Sequence, residues 1–153
     1  MHGNVLAQID ADPTDSRFPI AIHEGINATD VDLTVEFKTI SGNVDQGAGL
    51  VWRYRDHNNY YLTRCNALED NCTIYHVVDG RRLAFMNRNV KVPSNAWHTL
   101  RLQAMGDHFV VTYNGTPVLD VKDGTFTGAG KVGVWTKADS VIYFDNLSVT
   151  VAH

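Results

Sequence analysis

The stretch from Gly47 to Val78, GAGLVWRYRDHNNYYLTRCNALEDNCTIYHVV, constrains this chain more than any other. Apolar and polar residues alternate through it, with breaks at Asp56–Asn59 and Leu68–Asp70. A period of two is the signature of β-strands with unlike faces. Strand signals recur at Val5–Ile9, Val31–Ile40, Ala48–Tyr54, Tyr60–Asn66, Cys72–Val78, Arg81–Phe85, His98–Met105, His108–Tyr113, Thr116–Val121, Lys131–Thr136 and Val141–Val151. No eleven-residue window carries a convincing apolar helical face. Asp79-Gly80 and Asn114-Gly115 are two-residue hairpin signals, because a type I′ turn needs two residues at positive φ. Many short strands joined by Gly- and Asn-rich turns predict an all-β fold, a two-sheet antiparallel sandwich or a barrel.

Length and charge narrow the field. A chain of 153 residues fits a single domain, residues 1–153. Its net charge is -4 and its Lys and Arg are scattered, so no basic stripe invites nucleic acid. No apolar run reaches the ~18 residues of a membrane span, so no membrane insertion is expected. The opening MHGNVLAQID shows no signal-peptide pattern. Seven dispersed histidines offer no zinc spacing, and no nucleophile elbow or phosphate loop occurs.

Alternation assigns faces. An unpaired buried Arg is very costly, so Arg64 should face outward. Tyr61, Thr63, Cys65, Cys72 and Ile74 then face inward, as do Leu50, Trp52, Val132 and Val134. The same reading places Leu100, Leu102, Phe109, Val111 and Tyr113 in the core, and Trp97 and Phe144 are expected there with them. One outer sheet surface should carry Arg53, Tyr60, Arg64, Asn66, Tyr75, Trp135 and Lys137. Aromatic faces beside planar hydrogen-bonding groups suit sugar rings and their hydroxyls. The competing reading is a sheet surface with ordinary strand Tyr and Arg.

Cys65 and Cys72 fall on directly opposed positions if Leu68-Glu69 is the turn, close enough for a disulfide. The alternative is two small buried thiols. In the last strand, Phe144, Leu147 and Val149 all read as inward, which requires a bulge at Asp145-Asn146. That bulge would free Asp145 for a cation, Ca²⁺ being the natural choice for carboxylate and carbonyl ligands, or for a backbone amide. A glycosidase pair would need Glu69 or Asp70 to approach Asp56 or Asp139.

Three segments carry a family resemblance: GLVWRYRDHNNYYLTRCNALEDN, PSNAWHTLRLQAMGDHFVVTYNGTPVLDVKDGTF and GAGKVGVWTKADSVIYFDNLSV. They resemble the concanavalin A-like, laminin G-like jelly rolls. Within these they are most similar to bacterial 3-keto-disaccharide hydrolase-like, or family 16 glycoside hydrolase-like, domains. The resemblance implies two antiparallel sheets, one concave and used for carbohydrate, and an extracellular or periplasmic setting. The Glu-x-Asp-x-Glu motif of family 16 enzymes is absent, and the catalytic residues remain unknown. The expected function is a non-catalytic carbohydrate-binding jelly roll using the concave face. The alternatives are a small glycoside hydrolase-like enzyme acting on (3-keto-)disaccharides and a structural or protein-interaction module.

Overall fold

The computed structural model describes residues 6–8, 20–43, 46–137 and 140–151. They contain β1 (Leu6–Gln8), β2 (Ile20–Ala28), β3 (Val31–Ser41), β4 (Gly47–Asp56), β5 (Asn59–Asn66), β6 (Asn71–Val78), β7 (Arg81–Asn89), β8 (Trp97–Met105), β9 (His108–Tyr113), β10 (Thr116–Lys122), β11 (Gly130–Thr136) and β12 (Val141–Val151). The first sheet runs β1-β12-β3-β8-β9-β10 and the second β2-β11-β4-β5-β6-β7, with every pairing antiparallel. The fold is an all-β jelly-roll sandwich. Among the described residues no helix is long and apolar enough to cross a membrane.

The turns follow their chemistry. Asp79 and Gly80 sit at φ 50° and 78°, Asn114 and Gly115 at 49° and 83°. These left-handed pairs match the strand twist and so close tight hairpins. β2 is the strand that the alternation missed. Its sequence IAIHEGINA breaks the pattern with Gly25 and leaves most of its residues at least partly exposed, so the period-two signal is weak.

The core lies between the sheets. Leu33, Val35 and Phe37 from β3 meet Leu50, Trp52, Tyr61 and Ile74 across it, with Leu100, Leu102, Phe109, Val111, Val132, Val134, Ile142 and Phe144. Trp52 stacks on Tyr61 with ring centres 5.3 Å apart, and Phe109 meets Tyr61 edge-on at 4.7 Å. Cys65 and Cys72 are opposed in the β5–β6 register, fully buried, and joined by a disulfide. The bonded alternative is therefore the one realised.

Two core expectations are corrected. Trp97 is half-buried, while its neighbour His98 points inward. The pairing Phe37↔His98 fixes the inward phase of β8, and the imidazole packs between Phe37 and Tyr113. His98 Nε2 lies 2.8 Å from the Pro93 carbonyl, so a polar ring is accommodated at the position that shares the inward phase of Leu100 and Leu102. Leu147 is exposed at 38%. The bulge exists, with Asp145 opposite Glu36 and Ser148 opposite Thr34. Two residues, Asn146 and Leu147, thus face the single Val35, and Asn146 takes φ 52°. The extra residue is Leu147, so it leaves the core while Val149 returns to it.

Candidate functional site

The outer face of the second sheet is built in rows by strand register. Ile20, Trp135, Gly49, Arg64, Thr73 and Asn87 lie side by side across six strands. The next row is Ile22, Gly133, Val51, Leu62, Tyr75 and Ala84, and beyond it Tyr60, Val77 and Arg82 are neighbours. Gly49 has no room for a side chain: a Cβ there would come within 2.6 Å of the Thr63 carbonyl oxygen.

This face has an apolar half and a polar half. Val51, Tyr60, Leu62, Tyr75, Val77 and Trp135 form a second apolar cluster, with Ile20, Ile22 and Tyr54 packed against it. Trp135 and Tyr60 do lie on the outer side of the sheet, as the alternation predicts, but they are buried rather than exposed. Arg82 closes over them, its guanidinium carbon 4.7 Å from the Tyr75 ring centre and 5.8 Å from that of Trp135. Such contacts let a charged group cover apolar surface.

The polar half centres on Arg64. Its Nη2 donates to Glu69 Oε2 at 3.0 Å and its Nη1 to Asn71 Oδ1 at 3.3 Å. Asn71 Nδ2 donates to the same Glu69 oxygen at 3.3 Å. The guanidinium carbon lies 5.5 Å from the Tyr75 ring centre. Arg64 is 4% exposed, and its Nε has no hydrogen-bond partner among the described residues. Beside it, Thr73 donates its hydroxyl hydrogen to Asn87 Oδ1. Burial pushes the Glu69 carboxyl up, but the Arg64 charge and bond, with Asn71 and Lys137, outweigh this and hold it below the usual range. Lys137 is half-buried and adds positive charge near Glu69.

Two expected face residues belong elsewhere. Arg53 points into the sandwich. The β4–β5 register shifts between Trp52 and Asp56, and Arg53 takes φ 49°, which turns its side chain over. Its guanidinium donates to the carbonyls of Thr29 at 2.9 Å, Phe126 at 2.7 Å and Gly106 at 2.5 Å. It packs 5.3 Å from the Phe109 ring centre, with Asp30 at 3.5 Å. Burial lowers its pKa, partly offset by Tyr61, Asp30 and Asp107. Asn66 is fully buried and caps the hairpin: its Oδ1 accepts the N–H groups of Leu68 at 2.9 Å and Glu69 at 3.2 Å. Asn side chains satisfy turn amides in this way.

Four contributors escaped the sequence reading of the site: Glu69, Asn71, Arg82 and Asn87. The Asp79-Gly80 turn fixes Val77↔Arg82, so Arg82 was in principle readable. Asn87 was not, because the β6–β7 register slips between Ile74 and Tyr75.

Asp145 Oδ1 accepts the Asn146 N–H at 2.8 Å, and Asn146 Nδ2 donates to Glu36 Oε1 at 3.1 Å. Among the described residues no group of three or more His, Cys, Asp or Glu is placed to hold a metal ion. Asp56 and Glu69 lie at opposite ends of β5, so they form no catalytic pair, and Asp139 lies outside the described residues.

The sequence matches the family model of the 3-keto-alpha-glucoside-1,2-lyase-like domain over residues 6–150. The chain belongs to this family. No curated protein sequence matches it significantly. Among solved structures, the carbohydrate-binding module CBM66 from Bacillus subtilis superposes with a TM-score of 0.77 at 19% identity, covering 89% of this chain and 93% of its own. Sheep galectin-11, solved with glycerol, gives 0.61 at 8% identity, covering 91% and 98%. An inferred glycosyl hydrolase of Parabacteroides distasonis gives 0.68 at 12% identity, covering 97% and 81%. At these identities the likeness is one of fold. The 3-keto-alpha-glucoside-1,2-lyase-like chain thus shares its sandwich with modules and with hydrolases alike.

Proposed function

We propose that this chain is a carbohydrate-binding module whose site is the polar half of the second sheet, around Arg64. One observation carries the reading. A buried guanidinium on a sheet face holds the half-exposed Glu69 carboxylate and the Asn71 amide in fixed positions beside the Tyr75 ring. Vicinal sugar hydroxyls suit the set, because Glu69 accepts while the amides of Asn71 and Asn87 donate. CBM66 and galectin-11 support the reading by fold. The buried Cys65–Cys72 disulfide supports an extracellular or periplasmic setting, since disulfides persist in oxidising compartments.

The test is a glycan-array screen followed by calorimetry and product analysis on each hit. Binding without turnover is expected, weakened by Asn87→Ala with melting unchanged and by Glu69→Gln with melting lowered, since that change leaves the buried Arg64 without its charge partner. If those variants bind every hit as the parent does, the site is wrong. The family match supports a second reading, an enzyme acting on 3-keto-glucosides. Cleavage of such a substrate, abolished by one carboxylate substitution, would establish that reading instead.

A further inference from the structure

A second cluster stands apart from Arg64, at the far end of the β6–β7 hairpin. A depression of about 760 Å³ is lined by His76, Val78, Asp79, Arg81, Arg82 and Leu83. His76 is held firmly. Its Nδ1 lies 3.1 Å from Thr125 Oγ1 and 3.7 Å from Asp123 Oδ2, and its ring packs on Phe85 at 5.6 Å. Asp123 is itself anchored, accepting the Tyr61 hydroxyl at 2.6 Å and the Thr125 N–H at 3.0 Å. Nδ1 is thus turned toward the protein, which leaves Nε2 as the imidazole's free edge. Arg81 is exposed, and no carboxylate among the described residues pairs with it. Leu83 is 56% exposed and adds an apolar wall beside Val78.

These groups ask for a ligand with one anionic end, hydroxyls and an apolar C–H face. Arg81 and Arg82 outnumber Asp79, so the lining favours a single negative charge. Arg82 is committed to the rings of Tyr75 and Trp135, so the pairing falls to Arg81. Guanidinium groups bind carboxylates by two parallel hydrogen bonds. Asp79 accepts hydroxyls and repels a second carboxylate. We propose that this depression is a subsite for a carboxylate-bearing sugar, a uronate, with Arg81 on the carboxylate, His76 and Asp79 on hydroxyls, and Leu83 and Val78 against the ring. The proposal rests on the carbohydrate-binding reading and adds to it a preference for acidic saccharides.

The test is an amide-shift NMR titration of the whole chain with glucuronate, glucose and acetate. Glucuronate should shift the amides of His76 and Val78–Leu83, and bind at least about tenfold more tightly than either control. Arg81→Gln should weaken glucuronate about tenfold, the lower end for a charge-assisted hydrogen bond. Because Arg81 is exposed, the variant should fold as the parent does. Equal binding of glucuronate and glucose overturns the proposal. So does acetate binding as tightly as glucuronate, which would show a carboxylate read without its sugar. An unchanged glucuronate affinity in Arg81→Gln also overturns it. The amides of Asn71 and Asn87 report the Arg64 site in the same spectra. Neutral glycans shifting those while glucuronate leaves His76 still would overturn this inference alone. Glucuronate shifting His76 while no glycan on the array shifts Asn71 or Asn87 would overturn the Arg64 site alone.

Discussion

Replacing Arg53 with Ala should destabilise the domain strongly while leaving its ligand affinity intact. The guanidinium bridges three carbonyls from three separate segments: Thr29 before β3, Gly106 between β8 and β9, and Phe126 before β11. Each charge-assisted bond is worth about 1.5–3 kcal/mol in a buried setting. The three do not add, because water can enter the space the side chain leaves. The change leaves three carbonyls without their donor, at about 1–3 kcal/mol each before water enters, so about 3–5 kcal/mol is the expected loss. It is a large share of a total stability of about 5–15 kcal/mol. For a domain of this size it corresponds to a fall in melting temperature of about 6–20 °C. Urea unfolding at neutral pH measures it. Arg53→Lys should lose roughly half as much, since one ammonium cannot span all three acceptors with Arg geometry. A loss below about 1 kcal/mol for Arg53→Ala would refute the claim that this Arg ties the sandwich end together. Loss of glycan affinity in the folded variant would refute its assignment as a structural residue.

Trp135→Ala should cost about 3–5 kcal/mol by urea unfolding, because the indole is fully buried; Trp97→Ala, at a half-buried position, should cost much less. Reducing the Cys65–Cys72 disulfide, which closes a loop with sequence separation 7, should lower stability by about 2.5 kcal/mol on the chain-entropy model, read as a shifted urea midpoint with and without reductant. At alkaline pH, burial raises Tyr61 to about 12, with the Asp123 bond adding to this, and raises Tyr113 to about 12, with the Asp70 charge adding. Both keep their protons when folded after the unfolded chain has lost them, so melting temperature should fall from about pH 10 upward. Tyr61→Phe should flatten that fall. At acid pH, burial pushes the Asp123 carboxyl up, but bonds from Tyr61 and Thr125 outweigh it and hold the group low. Its contribution is complete above the unfolded value of about 4 and is lost as pH falls through the folded one, so Asp123→Asn should flatten the acid limb of the melting curve.

Local chemistry alone decided much of this protein. Period-two alternation located eleven strands. Asp79-Gly80 and Asn114-Gly115 closed their hairpins because their left-handed backbone is encoded in two adjacent residues. The opposition of Cys65 and Cys72 followed from counting outward from one turn. Strand phase, however, survives only until an irregularity. At Arg53 two extra residues against the neighbouring β5, and at Leu147 one extra residue against the distant β3, reversed the expected side. His98, not Trp97, shares the phase of Leu100 and Leu102, so alternation pointed to it; its polarity argued against burial, and the Pro93 carbonyl that satisfies it is supplied only by the folded chain. Trp135 lay on the expected side but was buried, since Arg82 and a second apolar cluster assemble over that face only when six strands are in register. The Arg64–Glu69–Asn71 group was half legible, through Arg64 alone. Its neighbour Asn87 arrives from beyond a slip in the β6–β7 ladder. Alternation reports which side of a strand a residue takes; what covers that side is set by long-range pairing, which a one-residue shift can invert.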